Sequence, residues 1–484
     1  MSLHGNNATP PAPAIAPGVD EIDPVRFAQE LGTRFQGGID PRVTAIVPGF
    51  DAPFFQAGLA GYSDAAMRII ARRLGAPFCV TEALLDRMLL GGGHGFDKAD
   101  LQLMLESLPQ GAEDQPLAGQ IIGSDPDEMA AASLKMIEQA SRPDRQYRDM
   151  AYGDSALPTY TDTRWKVDPS NVNDQAPTDT ACEDDCTPEA LLALVNEQPP
   201  ETYDPRTVFQ SVGQAGTPTP AKSTARADAS ANANSNAITT QTTNAPALSF
   251  ATIDVNLACP VKKIDRKSRG GHWLSQPQGA VDILRAVRAA VPKDVPCTVK
   301  LRRAYDDTPE MARNFEVIFN ACYELGYAWT TVHARTVEQK YIGPSRWTFL
   351  KDLCDRHQDK IVFGSGDVWS AHDIFRMMAY SGVTGVSVAR GCIGNPWIFR
   401  QARLMIQGQS APAPTLSEQR AVLLEHFAIS HAINGEKAAG RMMRKFGIKF
   451  AQHHPEPEKV RSRMIAVESH RDWLSVMDDC YAMS

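Results

Sequence analysis

Eight short apolar runs, many of them β-branched, punctuate this chain at 54–59, 78–83, 117–122, 251–257, 297–301, 330–333, 361–363 and 383–389. Stretches with helical periodicity lie between them, at 65–74, 126–139, 279–291, 309–325, 345–357 and 371–380. Parallel strands need crossover connections, so this alternation predicts an α/β fold, a closed (β/α)8 TIM barrel. A doubly wound open sheet is the competing arrangement, but no G-x-G-x-x-G follows any run. From 416 to 481 the pattern is helical only. The expected organisation is an N-terminal tail (1–45), the barrel (46–408) and an all-helical C-terminal domain (415–484).

One segment breaks the pattern. Residues 141–248 are dominated by Asn, Thr, Ser, Ala, Pro and Asp, with few apolar residues in any period. Such a stretch cannot offset its ordering entropy by burial, so it reads as a long disordered insert between the third helix and fourth strand of the barrel. Only 189–196 could form a short helix there. The insert holds 15 acidic and 8 basic residues, so it carries most of the chain's net charge of −8. The remaining surface is close to neutral, and the acidic total does not argue against a polyanionic partner. No apolar run approaches the roughly 18 residues of a membrane span. The first 20 residues lack the charged start and apolar core of a secretory signal. Nine cysteines scattered over 484 residues do not suggest a disulfide framework. Together these features predict a cytoplasmic protein with reduced thiols, no membrane contact and no metal.

In a barrel of this kind chemistry sits at the C-terminal ends of the strands. The fourth run ends Asp254-Val255-Asn256-Leu257-Ala258-Cys259-Pro260-Val261-Lys262-Lys263. The fifth places Lys300 and Arg302 on one face, and the sixth does the same with His333 and Arg335, because strand side chains alternate. An inward Lys or His is costly without a polar ligand. The third run offers Gln120. The seventh and eighth end in Ser365-Gly366-Asp367 and Ala389-Arg390-Gly391, where glycines admit a ligand to the backbone and Arg390 adds charge. Barrels frequently hold phosphate at these two loops.

With these motifs in place the sequence resembles the tRNA-dihydrouridine synthases. The stretch from Asn256 to Lys263 and His333-Ala334-Arg335-Thr336 followed by Gln339-Lys340-Tyr341 are the most specific pieces. The resemblance implies FMN across the barrel mouth and NADPH as reductant. Gly58, Leu59, Ala60, Gln120, Lys300, His333, Ser365, Gly366, Asp367, Ala389 and Arg390 would hold the flavin. Asn256, Arg302 and Arg335 would orient the substrate, a uridine of tRNA. Flavin N5 would give hydride to uracil C6, and Cys259 would protonate C5. A thiol with a pKa of about 8.5 is mostly protonated near pH 7, which suits that role.

Departures from the family pattern are Gly58-Leu59-Ala60-Gly61 after the first strand, Ser365 before Gly366-Asp367, Ala389 before Arg390, and His272-Trp273. The last lies toward the expected substrate side and leaves the particular uridine open. Plainer readings exist for most of these residues. A buried cysteine is commonly an inert filler, and Cys79, Cys297, Cys322, Cys354 and Cys392 read that way. Cys182 and Cys186, with no second pair, read as part of a solvated acidic loop. His453-His454 reads as a solvated face. In the tail, 437–463 carries eight basic residues against two acidic ones. Arg441, Arg444, Lys445 and Lys449 recur at i, i+3, i+4 and i+8, one helical stripe that would grip tRNA phosphates. Two rival functions remain open: an FMN barrel reductase of a free small molecule, and a tRNA-binding relative without catalysis. The basic tail weighs against the first, and the Asn256, Cys259, Lys300 and His333 set against the second. A monomer is the expected state.

Overall fold

The computed structural model describes residues 18–90, 107–141, 249–260 and 268–482. Two helices precede the barrel, α1 (Pro24–Arg34) and α2 (Pro41–Ile46). Each is opened by an Asp whose side chain accepts first-turn amides and by a Pro with no amide to satisfy. Residues 18–45 of the segment expected as an N-terminal tail are therefore folded around these helices. Ala28 of α1 and Val43 of α2 are completely buried, and that burial anchors them.

Among the described residues nine strands follow, all parallel: β1 (Phe54–Gln56), β2 (Cys79–Val80), β3 (Leu84–Leu85), β4 (Leu117–Ile122), β5 (Thr252–Leu257), β6 (Cys297–Ala304), β7 (Trp329–Thr336), β8 (Val362–Ser365) and β9 (Gly385–Val388). Pairing of β1 with both β2 and β9, and of β2 with β4, closes the barrel. β3 makes no ninth stave. It continues along β4 beyond β2, since Val80 pairs with Ala118 and Leu84 with Ile121. The eight staves are those expected from the sequence.

Helices cover the outside: α3 (Ala65–Arg73), α4 (Asp86–Leu89), α5 (Pro126–Ala140), α6 (Pro277–Ala290), α7 (Pro309–Glu324), α8 (Trp347–Arg356), α9 (Ala371–Ser381) and α10 (Trp397–Ile406). Against them lie the outward residues of the strands, such as Ile253, Val255, Val299, Leu301 and Val332. The opposite faces point into the bore. At its lower end Phe50, Phe55, Phe78, Trp329 and Phe363 form one aromatic cluster, with Val43 and Val47 beneath. Phe50 lies parallel to Phe78 at 4.8 Å and meets Phe363 at 5.6 Å. The insert 141–248, the helix expected at 189–196, Cys182 and Cys186 lie outside the described residues, apart from Ser141 at the end of α5.

The C-terminal region is helical as expected: α11 (Leu416–Asn434), α12 (Glu436–Phe450), α13 (Pro457–Ile465) and α14 (His470–Cys480). It shares one apolar core with the barrel. Arg73 of α3 pairs with Glu425 of α11, and Gly394 (φ +69°) lets the backbone at Lys449 come close enough that any Cβ there would clash. His453 and His454 do not form a solvated face. His454 is buried, its Nε2 2.7 Å from the Cys480 carbonyl, and its Nδ1 accepts from the Glu456 amide. His453 packs edge-on against Trp397. The chain leaving α12 turns inward there, which sequence periodicity does not reveal. No helix among the described residues is long and apolar enough to cross a membrane.

Candidate active site

Toward the C-terminal ends of the strands the inward residues turn polar. β4 contributes Gln120, β5 Asp254 and Asn256, β6 Thr298, Lys300 and Arg302, and β7 Thr331, His333 and Arg335. A cavity in the bore below them is lined by Gly58, Gln120, Asp254 and Lys300 above and by Phe55, Phe78 and Trp329 of the aromatic cluster below.

A continuous hydrogen-bond chain crosses three strands. Thr298 Oγ1 donates to Asp254 Oδ1 at 2.6 Å, and Gln120 Nε2 donates to Asp254 Oδ2 at 2.7 Å. Asn256 Nδ2 donates to Gln120 Oε1 at 2.8 Å. Asn256 Oδ1 then accepts from the amides of Ala258 (3.0 Å) and Cys259 (3.1 Å). Cys259 thus sits at the lip, partly exposed, with its backbone tethered to the bore. On the return of its loop, Gly270 (φ +58°) passes so close that a Cβ would lie 2.8 Å from Cys259 Cβ. Val261, Lys262 and Lys263 lie outside the described residues.

Burial shapes the titration of the site. Lys300 is partly exposed by surface area yet deep enough that desolvation pulls its ammonium down to about 8, with Asp254 opposing. Burial raises the Asp254 carboxyl, while Thr298, Gln120 and Lys300 pull it back. His333 is held well below its ordinary range, first by burial and then by Arg302, Lys300, Arg335 and Arg390, so the imidazole is neutral. Arg335 Nη1 lies 3.4 Å from His333 Nε2. An arginine only donates, which leaves the His333 proton on Nδ1.

The two arginines expected to orient substrate are bound mainly to the protein. Arg302 donates to the carbonyls of Ala258, Thr336 and Lys340 at 3.0, 2.6 and 2.8 Å, and its guanidinium lies 5.4 Å from the Tyr341 ring centre. Arg335 forks onto Asp367 at 2.7 and 2.8 Å and onto the Gly343 carbonyl. Asp367 also accepts from the Ser345 amide at 2.7 Å and lies 3.6 Å from Arg390. Arg390 is sandwiched between Tyr341 and Trp369, 4.6 and 4.7 Å from the ring centres.

The glycine loops approach the mouth as expected. A Cβ at Gly58 would come within 2.3 Å of the Thr81 carbonyl. One at Gly366 (φ +116°) would lie 2.2 Å from Ser345 Oγ and 2.8 Å from His333 Cδ2. Ser345 Oγ is buried without a hydrogen-bond partner. Leu59 donates its amide to Ser63 Oγ, Ala60 is exposed, Ser365 Oγ donates to the Ser387 carbonyl, and the Ala389 carbonyl caps the turn carrying Arg390.

The basic stripe is not a uniform surface. Arg441 is exposed, Lys445 and Lys449 are half-buried and Arg444 is only 9% exposed. α12 packs against α11, α13, α14 and the barrel loops, so one edge of its polar face is covered. Lys445 Nζ donates to the Gly61 carbonyl at 3.2 Å over the Tyr62 ring. On the same loop the Gly61 amide and Lys445 pull against the burial that raises Glu82 to about 7. Trp273 turns into the protein. It is buried, donates to the Gly123 carbonyl and fills the space over Gly279, where a Cβ would lie 2.3 Å from its ring.

No role was assigned from the sequence to Asp254, Thr298, Glu82, Tyr341 or Trp369. Two of them carried a usable signal: Asp254 its period-two spacing from Asn256, and Tyr341 its place in the motif after His333.

Residues 231–483, more than half of the chain, match the family model described as "Dihydrouridine synthase (Dus)". A "Probable tRNA-dihydrouridine synthase" of Mycobacterium leprae is 33% identical over 221 residues, 45% of this chain and 56% of that protein. The protein of the same description from Treponema pallidum is 30% identical over 47% of this chain and 68% of its own length. "tRNA-dihydrouridine synthase B" of Pseudomonas putida is 32% identical over 45% of this chain and 63% of its own. The chain thus spans between just over half and about two thirds of the length of these relatives.

Proposed function

Because this chain belongs to the dihydrouridine synthase family, we propose that it is an FMN-dependent oxidoreductase that reduces the C5=C6 bond of uridine in tRNA, with NADPH as electron donor. The observation that carries this reading is the convergence of Gln120, Asn256 and Lys300 on one mouth with Cys259 at its lip. The residues present fit a flavin mononucleotide. Gln120 and Lys300 offer donors to a ring edge rich in carbonyls, and Lys300 matches the negative charge of the reduced ring. His333 offers a neutral Nδ1–H. The Gly366 cradle, with the unpartnered Ser345 hydroxyl beside it, and Arg390 suit a phosphate-bearing tail.

When bound, the flavin supplies the hydride that goes to uracil C6. The protein's own task is to orient and protonate. Asn256 offers its second amide hydrogen to a uracil carbonyl. Cys259 Sγ gives its proton to C5 and is left as a thiolate that solvent reprotonates. Arg302 and Arg335 act by holding the loops that close over the site, and Tyr341 is placed among them. A uridine in folded RNA must leave its stack to enter, at a cost of a few kcal/mol. Phosphate contacts from α12, Arg441 foremost with Lys449 and Lys445 at its flank and the buried Arg444 behind, offset that cost. We place the enzyme in the cytoplasm as a monomer.

The test is Cys259→Ala in the purified protein with tRNA and NADPH. Dihydrouridine formation should fall by about 10²–10⁴, the range of general-acid contributions, while bound FMN is unchanged. Full turnover by the variant would remove Cys259 as the acid.

A further inference from the structure

We propose that Asp254 is the positioning residue that sets the hydrogen-bond polarity of the whole mouth: its carboxylate forces both neighbouring amides to face the cavity with N–H and tethers the backbone of Cys259. The assignment of a flavin to this cavity rests on the function proposed above, but the polarity belongs to the protein alone.

A carboxylate can only accept. Burial raises the Asp254 carboxyl, while the two donors and the neighbouring Lys300 pull it back toward the ionised form, and both of its oxygens accept. The Gln120 amide must therefore turn its NH₂ toward Asp254, which places its oxygen against Asn256. Asn256 must answer with its own NH₂, and its oxygen then faces the amides of Ala258 and Cys259. One ionised group thus fixes two amide orientations in series. Each amide oxygen is engaged inside the protein, and each nitrogen keeps a second hydrogen. With Lys300, the mouth presents donors, so it selects a ring edge made of acceptors and disfavours one that donates. The same chain ends on the Cys259 backbone, so ligand polarity and thiol placement have a common origin.

An exchange of the two groups separates these effects. In Asp254→Asn/Gln120→Glu, the new carboxylate at position 120 accepts from the new amide at position 254 and from Asn256, so the Asn256 orientation and the tether persist. The cavity, however, now meets an anionic acceptor in place of a donor. Asp254→Leu removes the acceptor outright and frees both amides. Two measurements on the full chain read the outcome: FMN affinity of the flavin-stripped protein by fluorescence quenching, and the iodoacetamide alkylation rate of the Cys259 peptide by mass spectrometry. The exchange variant should lose FMN affinity about a hundredfold, yet alkylate within about twofold of the parent. The Leu variant should lose about tenfold in affinity and change its alkylation rate severalfold. Parental FMN affinity in the exchange variant, or alkylation that follows the Leu variant, would overturn the proposal. If the Leu variant does not fold, as judged by its melting curve, the exchange variant alone decides. Should the parent itself not bind FMN, the flavin reading fails, and the alkylation arm still judges the lock.

Discussion

At the lower end of the bore Phe50 lies flat on Phe78 and close to Phe363, every ring buried. At the upper end of the same strands a carboxylate, two amides, an ammonium and two guanidiniums share a mouth. On β7 the change takes only the step from Trp329 to His333. Apolar rings gain by leaving water and need no particular partner, so the lower end can hold the barrel closed whatever binds above. The upper end buries groups that are individually costly and are tolerated only in a satisfied network. Stability and chemistry are thus separated along the barrel axis rather than between domains.

The largest effect belongs to the lower end. Phe50→Ala should cost about 3–5 kcal/mol of stability in a denaturant titration, the usual range for a buried Phe, and leave FMN affinity as it was. A large loss of flavin at temperatures where the variant is folded would mean that the ends are not independent. Lys300→Met tests the other end. Losing a charge-assisted contact should weaken FMN binding by about 1.5–3 kcal/mol, read by fluorescence titration, with no comparable loss of stability.

Titration refines the same point. With Lys300 at about 8 in the folded chain and ordinarily at 10.5, the ammonium is disfavoured by folding. The ligand-free barrel should therefore gain stability as pH climbs from about 8 toward 10.5, and lose that gain as pH falls back through 8. Affinity for the anionic reduced flavin should run the opposite way, steady below about pH 8 and declining above it. Lys300→Met should abolish both trends. The smallest effect belongs to the helical region. Arg441→Glu should lower tRNA affinity only severalfold and reduce its salt dependence by about one ion, since Arg441 is one exposed contact among several.

Much of this was legible in the residues themselves. All eight staves followed from apolar runs, and alternation alone placed Lys300, Arg302, His333 and Arg335 on the inward face. α1 and α2 were not legible, because they are short and flanked by Gly and Pro, and only docking onto the barrel stabilises them. Helical spacing put Arg444 on the same stripe as Arg441 but could not say that neighbouring helices would cover it. The Asp254–Gln120 bond joins residues 134 positions apart, and no local pattern announces it. Alternation gave the inward placement of Arg302 and Arg335, while their bonds to loop carbonyls and Asp367 needed the fold.

The aromatic cluster at the lower end makes the barrel a cup rather than a tube, with its mouth as the doorway. Under the proposed function, reductant and nucleic acid both have to use that doorway, and neither can leave by the far side. Under that proposal a nicotinamide and a uridine would occupy the mouth in turn rather than together.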